Sequence, residues 1–284
     1  MNISESSTKI FLDSGDPSHT QDVLGSLGFL HGQTTNPSLV AKSEVIKELQ
    51  AQGDVSEAKL LDGYRDIVNQ IHSFIPEGSV SIEVYADADT TAEQMISQAE
   101  SFAQWIPHPH IKLPITPAGL EAAEYLVEKG MNINMTLCFS QDQAVAVHYA
   151  TRNAVPGQVF VSPFLGRLDD KGVCGISLVQ NIRKAYDSLE SSVEILAASI
   201  RSVSHISACV LAGADILTIP HKLFGPWQEE GFAVTEVPLC ENLDPLVYQE
   251  DIPQDWREIN IQHDLTDTGL AKFAADWKSI INQK

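Results

Sequence analysis

Residues 110–130 read HIKLPITPAGLEAAEYLVEKG. With a period of two, His110, Lys112 and Pro114 fall on one face of a short strand, and Ile111 and Leu113 fall on the other. Thr116 then offers an N-cap oxygen and Pro117 suits the first helical position. Leu120, Ala123 and Val127 recur at helical spacing until Gly130 supplies a stop. The stretch predicts a strand running into a helix, with a lysine opposite the apolar face near the strand's C-terminal end. Parallel α/β proteins build their active sites at that end, so Lys112 is a candidate nucleophile.

Upstream, KIFLD (9–13) predicts a strand with Lys9, Phe11 and Asp13 on one face. GQTTNPSLV (32–40) predicts a second, brief strand with Asn36 and Pro37 at its exit, and residues 42–75 predict two helices broken near Gly53 and Asp54. SVSIEVYAD (79–87) alternates, with Ser81, Glu83 and Tyr85 opposite Val80, Ile82 and Val84, and a helix from about Thr91 to Trp105 follows. Downstream, NINMTLC (132–138) sets Asn134, Thr136 and Cys138 against Ile133, Met135 and Leu137, ahead of a helix over about 141–150. VFVSPFLGRLDD (159–170) places Phe160 and Ser162 on one face, with Pro163 closing the strand. Helix 176–190, strand VEILAASIR (193–201), helix 202–213 and strand DILTIP (215–220) complete the alternation. Eight strand-then-helix units predict an α/β protein whose parallel sheet closes into a (β/α)8 TIM barrel over about 8–224. An irregular, proline-bearing C-terminal extension, about 225–284, ends in an amphipathic docking helix around GLAKFAADWKSII (269–281). A barrel of this kind typically takes about 250 residues, so residues 1–284 read as a single domain.

The composition, 43% hydrophobic and 20% charged, supplies a packed core and excludes a disordered chain. A formal net charge of −20 opposes binding to nucleic acid or to an anionic membrane, so a phosphate-bearing substrate would need local arginines. Cys138, Cys174, Cys209 and Cys240 show neither a Cys-x-x-Cys pair nor a zinc-like spacing, and are expected as free buried thiols in a reducing compartment. A polar N-terminus and the lack of a span-length apolar stretch predict a cytoplasmic protein with no membrane partner. The nine histidines lack metal-ligand spacing, and nucleotide-binding glycine patterns are absent, so no metal and no cofactor is expected. The four tryptophans read as packing groups.

A barrel gathers residues that lie at the ends of different strands and point inward. By periodicity Asp13, Asn36, Glu83, Lys112, Thr136 and Ser162 do so, and buried charge must be compensated by pairing or by function. A structural ion pair of Lys112 with Glu83 or Asp13 is one reading. The other is Schiff-base catalysis on a ketone, in which an amine attacks the carbonyl, water leaves, and the iminium accepts electrons as a neighbouring C–C bond breaks. Carboxylates move the protons of such a reaction. Desolvation favours the neutral lysine and adjacent carboxylates the charged one, and the sequence leaves that balance open. Arg167 and Arg201, just after strands six and seven, can chelate phosphate, although Arg167 could instead pair with Asp169 or Asp170 in solvent.

Five motifs in order, TTNPSLV (34–40), IKLPITPAGLEA (111–122), NMTLCFSQDQA (134–144), VSPFLGRLDD (161–170) and LAASIRSVSHI (196–206), resemble transaldolase. The resemblance covers nearly the whole chain. It implies a circularly permuted class I aldolase barrel with Lys112 as Schiff-base lysine and Asp13 as the acid/base at the C4 hydroxyl. Glu83 and Thr136 would hold the catalytic water, Asn36 and Ser162 the dihydroxyacetone hydroxyls, and Arg167, Ser199 and Arg201 the phosphate. The implied activity is transfer of dihydroxyacetone from fructose 6-phosphate or sedoheptulose 7-phosphate to an aldose phosphate, in the pentose phosphate pathway. The related fructose-6-phosphate aldolase is the alternative, and a catalytically silent binding or regulatory barrel a remoter one. Glu83 and Phe164 match the transferase pattern, where the aldolases carry Gln and Tyr. The family's dimers and larger rings imply a homo-oligomer of open size. ATRNAVPGQ (150–158) is longer than the family's usual connection and is expected to border the phosphate side of the site.

Overall fold

The computed structural model describes residues 1–53, 55–238, 240 and 242–281. Eight parallel strands close into a barrel in sequence order. They are β1 (Lys9–Asp13), β2 (Gly32–Thr34), β3 (Ser79–Glu83), β4 (His110–Pro114), β5 (Asn132–Cys138), β6 (Val159–Pro163), β7 (Glu194–Ala197) and β8 (Ile216–Pro220), with β8 pairing back onto β1 from Lys9↔Ile216 to Asp13↔Pro220. The fold is the α/β TIM barrel that the alternation of strands and helices predicts.

Most helices start where the sequence offers a cap. Thr116 accepts from the Gly119 amide at 3.0 Å, and Pro117 opens a helix that runs to Glu128 and buries Leu120, Ala123 and Val127 against the barrel. Gly119 is required there, since a Cβ would lie 1.9 Å from the Pro114 carbonyl oxygen. The 42–75 region forms helices Glu44–Ala51 and Glu57–Phe74, each with a serine N-cap. The expected break falls at Gly53, between the two helices; Asp54, named with it, lies outside the described residues.

Several boundaries differ from the sequence reading. β3 stops at Glu83 rather than at Asp87 and β7 at Ala197 rather than at Arg201, because the chain must leave the barrel once its last inward residue is placed. In β5 the register shifts between Met135 and Cys138, and Leu137 adopts φ 63°. This bulge ends the alternation that had put Cys138 on the face of Asn134 and Thr136. Residues 150–158 enter β6 at its N-terminal end, where the Gly157 carbonyl meets His110 Nε2 at 3.0 Å. They therefore lie at the opposite mouth from the strand ends, not beside the phosphate side of the site.

The extension is more ordered than its proline-rich sequence suggests. Asp244–Pro245 pairs in parallel with Val173–Cys174, and a disulfide joins Cys174 to Cys240 across a Cα–Cα distance of 5.4 Å. This corrects the expectation of four free thiols, since a pairing 66 residues apart is invisible in spacing. Cys138 and Cys209 are free and buried. The extension continues over helix Gln141–Ala150, where the Gln141 and Gln249 side chain and backbone groups bond reciprocally at 2.9 Å. The last helix, Asp264–Ile280, then crosses the C-terminal mouth and buries Gly269, Leu270, Phe273 and Trp277. Trp227, Trp256 and Trp277 are buried packing groups. Among the described residues no helix is long and apolar enough to cross a membrane.

Candidate active site

Strand register brings Glu83, Lys112 and Asn134 side by side on β3, β4 and β5. Lys112 Nζ lies 2.9 Å from Glu83 Oε2, and each side chain is only 4% exposed. The ammonium also donates a long bond, 3.4 Å, to the Thr35 carbonyl. Glu83 is fixed from behind. Its amide donates to Tyr64 Oη at 2.9 Å, Tyr64 in turn meets Thr35 Oγ1 at 2.5 Å, and Thr35 Oγ1 donates to the Ser81 carbonyl. Since Thr35 spends its only proton on Ser81, the Tyr64 hydroxyl must donate to Thr35. Burial raises the Glu83 pKa above the usual carboxylate value, with the Lys112 charge opposing it.

Asp13 ends β1 across the cavity. Its Oδ1 accepts from Thr34 Oγ1 at 2.8 Å, and Thr34 Oγ1 lies 2.6 Å from Thr218 Oγ1 on β8. The Thr34 proton is committed to Asp13, so Thr218 donates to Thr34 and the two hydroxyls form a relay ending on the carboxylate. Burial raises the Asp13 pKa, while Lys112 and the Thr34 bond pull it down.

Ser162 Oγ donates to Asn134 Oδ1 at 2.7 Å, and Asn134 Nδ2 donates to Ser81 Oγ at 3.0 Å, forming a buried polar band under the lysine. Asn36 caps helix Pro37–Val40 by accepting from the Leu39 amide at 3.0 Å, so what it can offer a hydroxyl is its amide N–H. Thr136 Oγ1 is buried with no hydrogen-bond partner among the described residues. Buried hydroxyls ordinarily have a hydrogen-bond partner.

The cavity also carries cations. Arg167, in helix Leu165–Asp169, holds its guanidinium carbon over the rings of Phe164 and Phe273, at 5.1 and 5.5 Å from their centroids, and has no ion-pair partner among the described residues. Burial, followed by the like charge of Arg201, lowers its pKa. The solvated pair weighed for Arg167 is made instead by Arg201, 2.9 Å from Asp170, both side chains being well exposed. Asp169 turns to His205 at 2.9 Å and accepts from the Gly175 amide at 2.8 Å. In spite of its burial, those hydrogen bonds hold the Asp169 pKa below its usual value. His205 thus has a structural task that its sequence context did not reveal. Ser199 adopts φ 60°, a strained setting for a non-glycine residue, and its carbonyl accepts from the Gly166 amide at 3.1 Å. A Cβ on Gly166 would come within 2.3 Å of that oxygen.

These groups share a cavity of about 500 Å³ at the C-terminal mouth. Lys112, Asp13, Asn36 and Ser162 line it together with Phe164, Arg167, Ser199 and Arg201. Glu83 and Thr136 do not reach it; Glu83 sits behind Lys112 against a small neighbouring void. The sequence reading missed Thr34, Thr218 and Asn134, although Thr34 and Asn134 lie inside the motifs quoted above. It also missed Lys42, Lys171 and Lys272, which add positive charge to the wall of the same cavity from segments with no strand periodicity to flag them. An amine, a carboxylate and a cluster of cations on one cavity, with a second carboxylate behind the amine, can carry proton transfers and covalent carbonyl chemistry on an anionic substrate.

Residues 10–284 match the family model described as Transaldolase/Fructose-6-phosphate aldolase. A probable transaldolase of Dehalococcoides mccartyi is 34% identical over 96% of this chain and 99% of its own. Probable transaldolases of Brucella ovis (35% identical, 95% of this chain and 96% of its own) and Lactiplantibacillus plantarum (34%, 95% and 97%) are similarly related. Among solved structures, an enolase described as a putative galactarate dehydratase, from Agrobacterium radiobacter, superposes with a TM-score of 0.50 at 10% identity. It covers 75% of this chain and 51% of its own, a likeness of fold alone.

Proposed function

We propose, since the chain belongs to the transaldolase/fructose-6-phosphate aldolase family, that it is a transaldolase. It would move a dihydroxyacetone unit from a ketose phosphate, fructose 6-phosphate or sedoheptulose 7-phosphate, to an aldose phosphate through a Schiff base on Lys112. The observation that carries this reading is the buried Lys112–Glu83 pair, whose lysine lines the same cavity as Arg167 and Arg201.

The Lys112 amine attacks the C2 carbonyl, and the carbinolamine loses water to give an iminium. Glu83, 2.9 Å from Nζ and raised in pKa by burial, can take up the proton that the ammonium must shed. Together with Thr136, whose buried hydroxyl needs a partner, it is suited to handling the water that leaves and later returns. Asp13 removes the C4 hydroxyl proton, the C3–C4 bond breaks, and its electron pair passes into the iminium to form an enamine. The first aldose phosphate departs, a second enters, and the steps reverse. Asn36 and Ser162 bind the dihydroxyacetone hydroxyls. Arg167, Ser199 and Arg201 hold the phosphate, Arg167 well suited because among the described residues no carboxylate pairs with it directly. Residues 1–284 act in this reading as one domain, closed by the last helix, and serve the pentose phosphate pathway in the cytoplasm as a homo-oligomer.

Glu83 and Phe164 favour transfer over the lyase reaction of the sibling aldolases, because a carboxylate and an amide treat the catalytic water's proton differently. Borohydride reduction in the presence of fructose 6-phosphate is expected to fix three substrate carbons to the peptide bearing Lys112. Release of free dihydroxyacetone is expected to be slow, and transfer fast once erythrose 4-phosphate is added. An adduct on another peptide would remove the Schiff-base assignment, and rapid release without acceptor would make the protein a lyase.

A further inference from the structure

Helix Asp264–Ile280 lies outside the eight barrel units, and apart from Lys272 on the cavity wall no role in the reaction has been given to its residues. Its N-terminal turn is pinned to the barrel rim, where Thr266 Oγ1 donates to the Leu137 carbonyl at 2.9 Å and accepts from Gln143 Nε2 at 2.8 Å. Leu137 is the positive-φ residue of the β5 bulge, so the irregularity in the barrel presents the carbonyl to which the helix attaches. One turn on, Gly269 is buried against the guanidinium. A Cβ there would fall 2.7 Å from Arg167 Nη1 and 2.7 Å from Leu137 Cδ2. One further turn on, Phe273, 5% exposed, puts its ring 5.5 Å from Arg167 Cζ, which also lies 5.1 Å from the Phe164 ring.

We infer that Gly269 and Phe273 are positioning residues for the phosphate end of the site, aligning Arg167 for a sugar-phosphate dianion. The chemistry concerns what holds an arginine still. A carboxylate partner would fix the guanidinium but offset its charge, whereas two aromatic faces fix its plane and leave its N–H edge to a phosphate. The like charge of Arg201 disfavours the Arg167 cation, and the ring of Phe273 supplies a contact that favours it. Gly269 leaves the space that the guanidinium fills. The helix therefore sets the preference for phosphorylated over unphosphorylated substrates.

This inference rests on Arg167 being a phosphate ligand, and the experiment separates the two. For the full-length protein and for Arg167→Ala, Phe273→Leu, Phe273→Tyr and Gly269→Ala, kcat/KM is measured with fructose 6-phosphate and with fructose, using unphosphorylated glyceraldehyde as acceptor. The readout is the ratio of the two constants, which a general loss of folded protein does not move. Phe273→Leu and Gly269→Ala should each lower the ratio by roughly three- to tenfold, mainly through KM for the phosphorylated donor, as loss of one cation–π contact implies. Phe273→Tyr should restore it. A collapsed ratio in Arg167→Ala with unchanged ratios in Phe273→Leu and Gly269→Ala overturns the inference alone. An unchanged ratio in Arg167→Ala overturns both assignments.

Discussion

The barrel contains two lysine–glutamate pairs inside its strand ring, one at each mouth. Lys112–Glu83 and Lys9–Glu194 have the same separation, 2.9 Å, and Lys9 reaches both carboxylate oxygens. Exposure separates them. The side chains of the first pair are 4% exposed, while those of the second are 43% and 22% exposed. Between them the interior is plugged by Phe11 and Phe160 in edge contact at 6.0 Å, with His110 stacked on Phe160 at 4.0 Å. Burial pushes the His110 pKa down to about 4, leaving a neutral ring below the plug at physiological pH. A lysine beside a glutamate is thus no functional signal in itself. Both lysines line a cavity, so it is the burial that raises the carboxylate's pKa that sets the Lys112–Glu83 pair apart from the wet Lys9–Glu194 pair.

Removing each lysine tests that contrast at its widest. Lys112→Met should abolish the borohydride adduct and lower transfer by more than about 10⁴-fold, as for other covalent nucleophiles. Burial already holds the Glu83 pKa above its unfolded value of 4.5, and this substitution removes the opposing charge. The folded state then binds the Glu83 proton more tightly than the unfolded chain. The stability deficit of the variant should therefore be small below pH 4.5 and grow as pH rises through the folded pKa, a trend that chemical denaturation at several pH values would read. A deficit independent of pH would break the account of Glu83.

Glu83→Gln keeps the shape of the site and removes its proton acceptor. Transfer should fall by roughly 10²-fold while the share of product appearing as free dihydroxyacetone rises. Unchanged partitioning in a product assay would count against the proposed role of Glu83 at the water.

A smaller effect is expected at the hydroxyl relay on Asp13. Thr34→Val removes a bond that lowers the Asp13 pKa, so that pKa should rise further and carry the acidic limb of the kcat profile upward by about one pH unit. Thr34→Ser should return the limb to its original position. A fall in kcat at every pH with no movement of the limb would show that Thr34 only packs.

Lys9→Met closes the series. Exposed pairs contribute about 0–1 kcal/mol, so the midpoint of thermal unfolding should move by only a few degrees and activity should stay near that of the parent. A loss of several kcal/mol would show that exposure does not distinguish the two mouths.

The barrel was legible because its signal is local and repeated. Period-two strands and capped, period-3.6 helices recur eight times, and Thr116, Pro117 and the burial of Leu120, Ala123 and Val127 stand where the pattern puts them. The inward polar residues could be named for the same reason, since alternation gives the face and the strand's end gives the depth. Their partners were not legible. Nothing in the sequence singles out Thr218 as the donor behind Thr34, or Asn134 as the link from Ser162 to Ser81, because those contacts are set by register between strands distant in sequence. In the chain, residues 150–158 precede the strand that leads to the phosphate side, yet in the barrel they sit at the other mouth. A helix-to-strand loop always lies at the mouth opposite the strand-to-helix loops.

The C-terminal extension marks the same divide. Its last helix could be read as amphipathic, yet the face it covers depends on a hydrogen bond from Thr266 to a bulge in β5. The Cys174–Cys240 disulfide depends on a two-residue strand pairing that no spacing predicts, and the expectation of a reducing compartment loses the support of those two thiols. Sequence by itself determined the elements, their order, the closed barrel and the inward identity of Lys112, Asp13 and Glu83, because backbone periodicity and capping act over a few residues. Only the tertiary structure decided which lysine is buried beside a cavity, which arginine is free of a carboxylate, and what holds it in place. Burial and pairing are properties of surfaces brought together from distant parts of the chain.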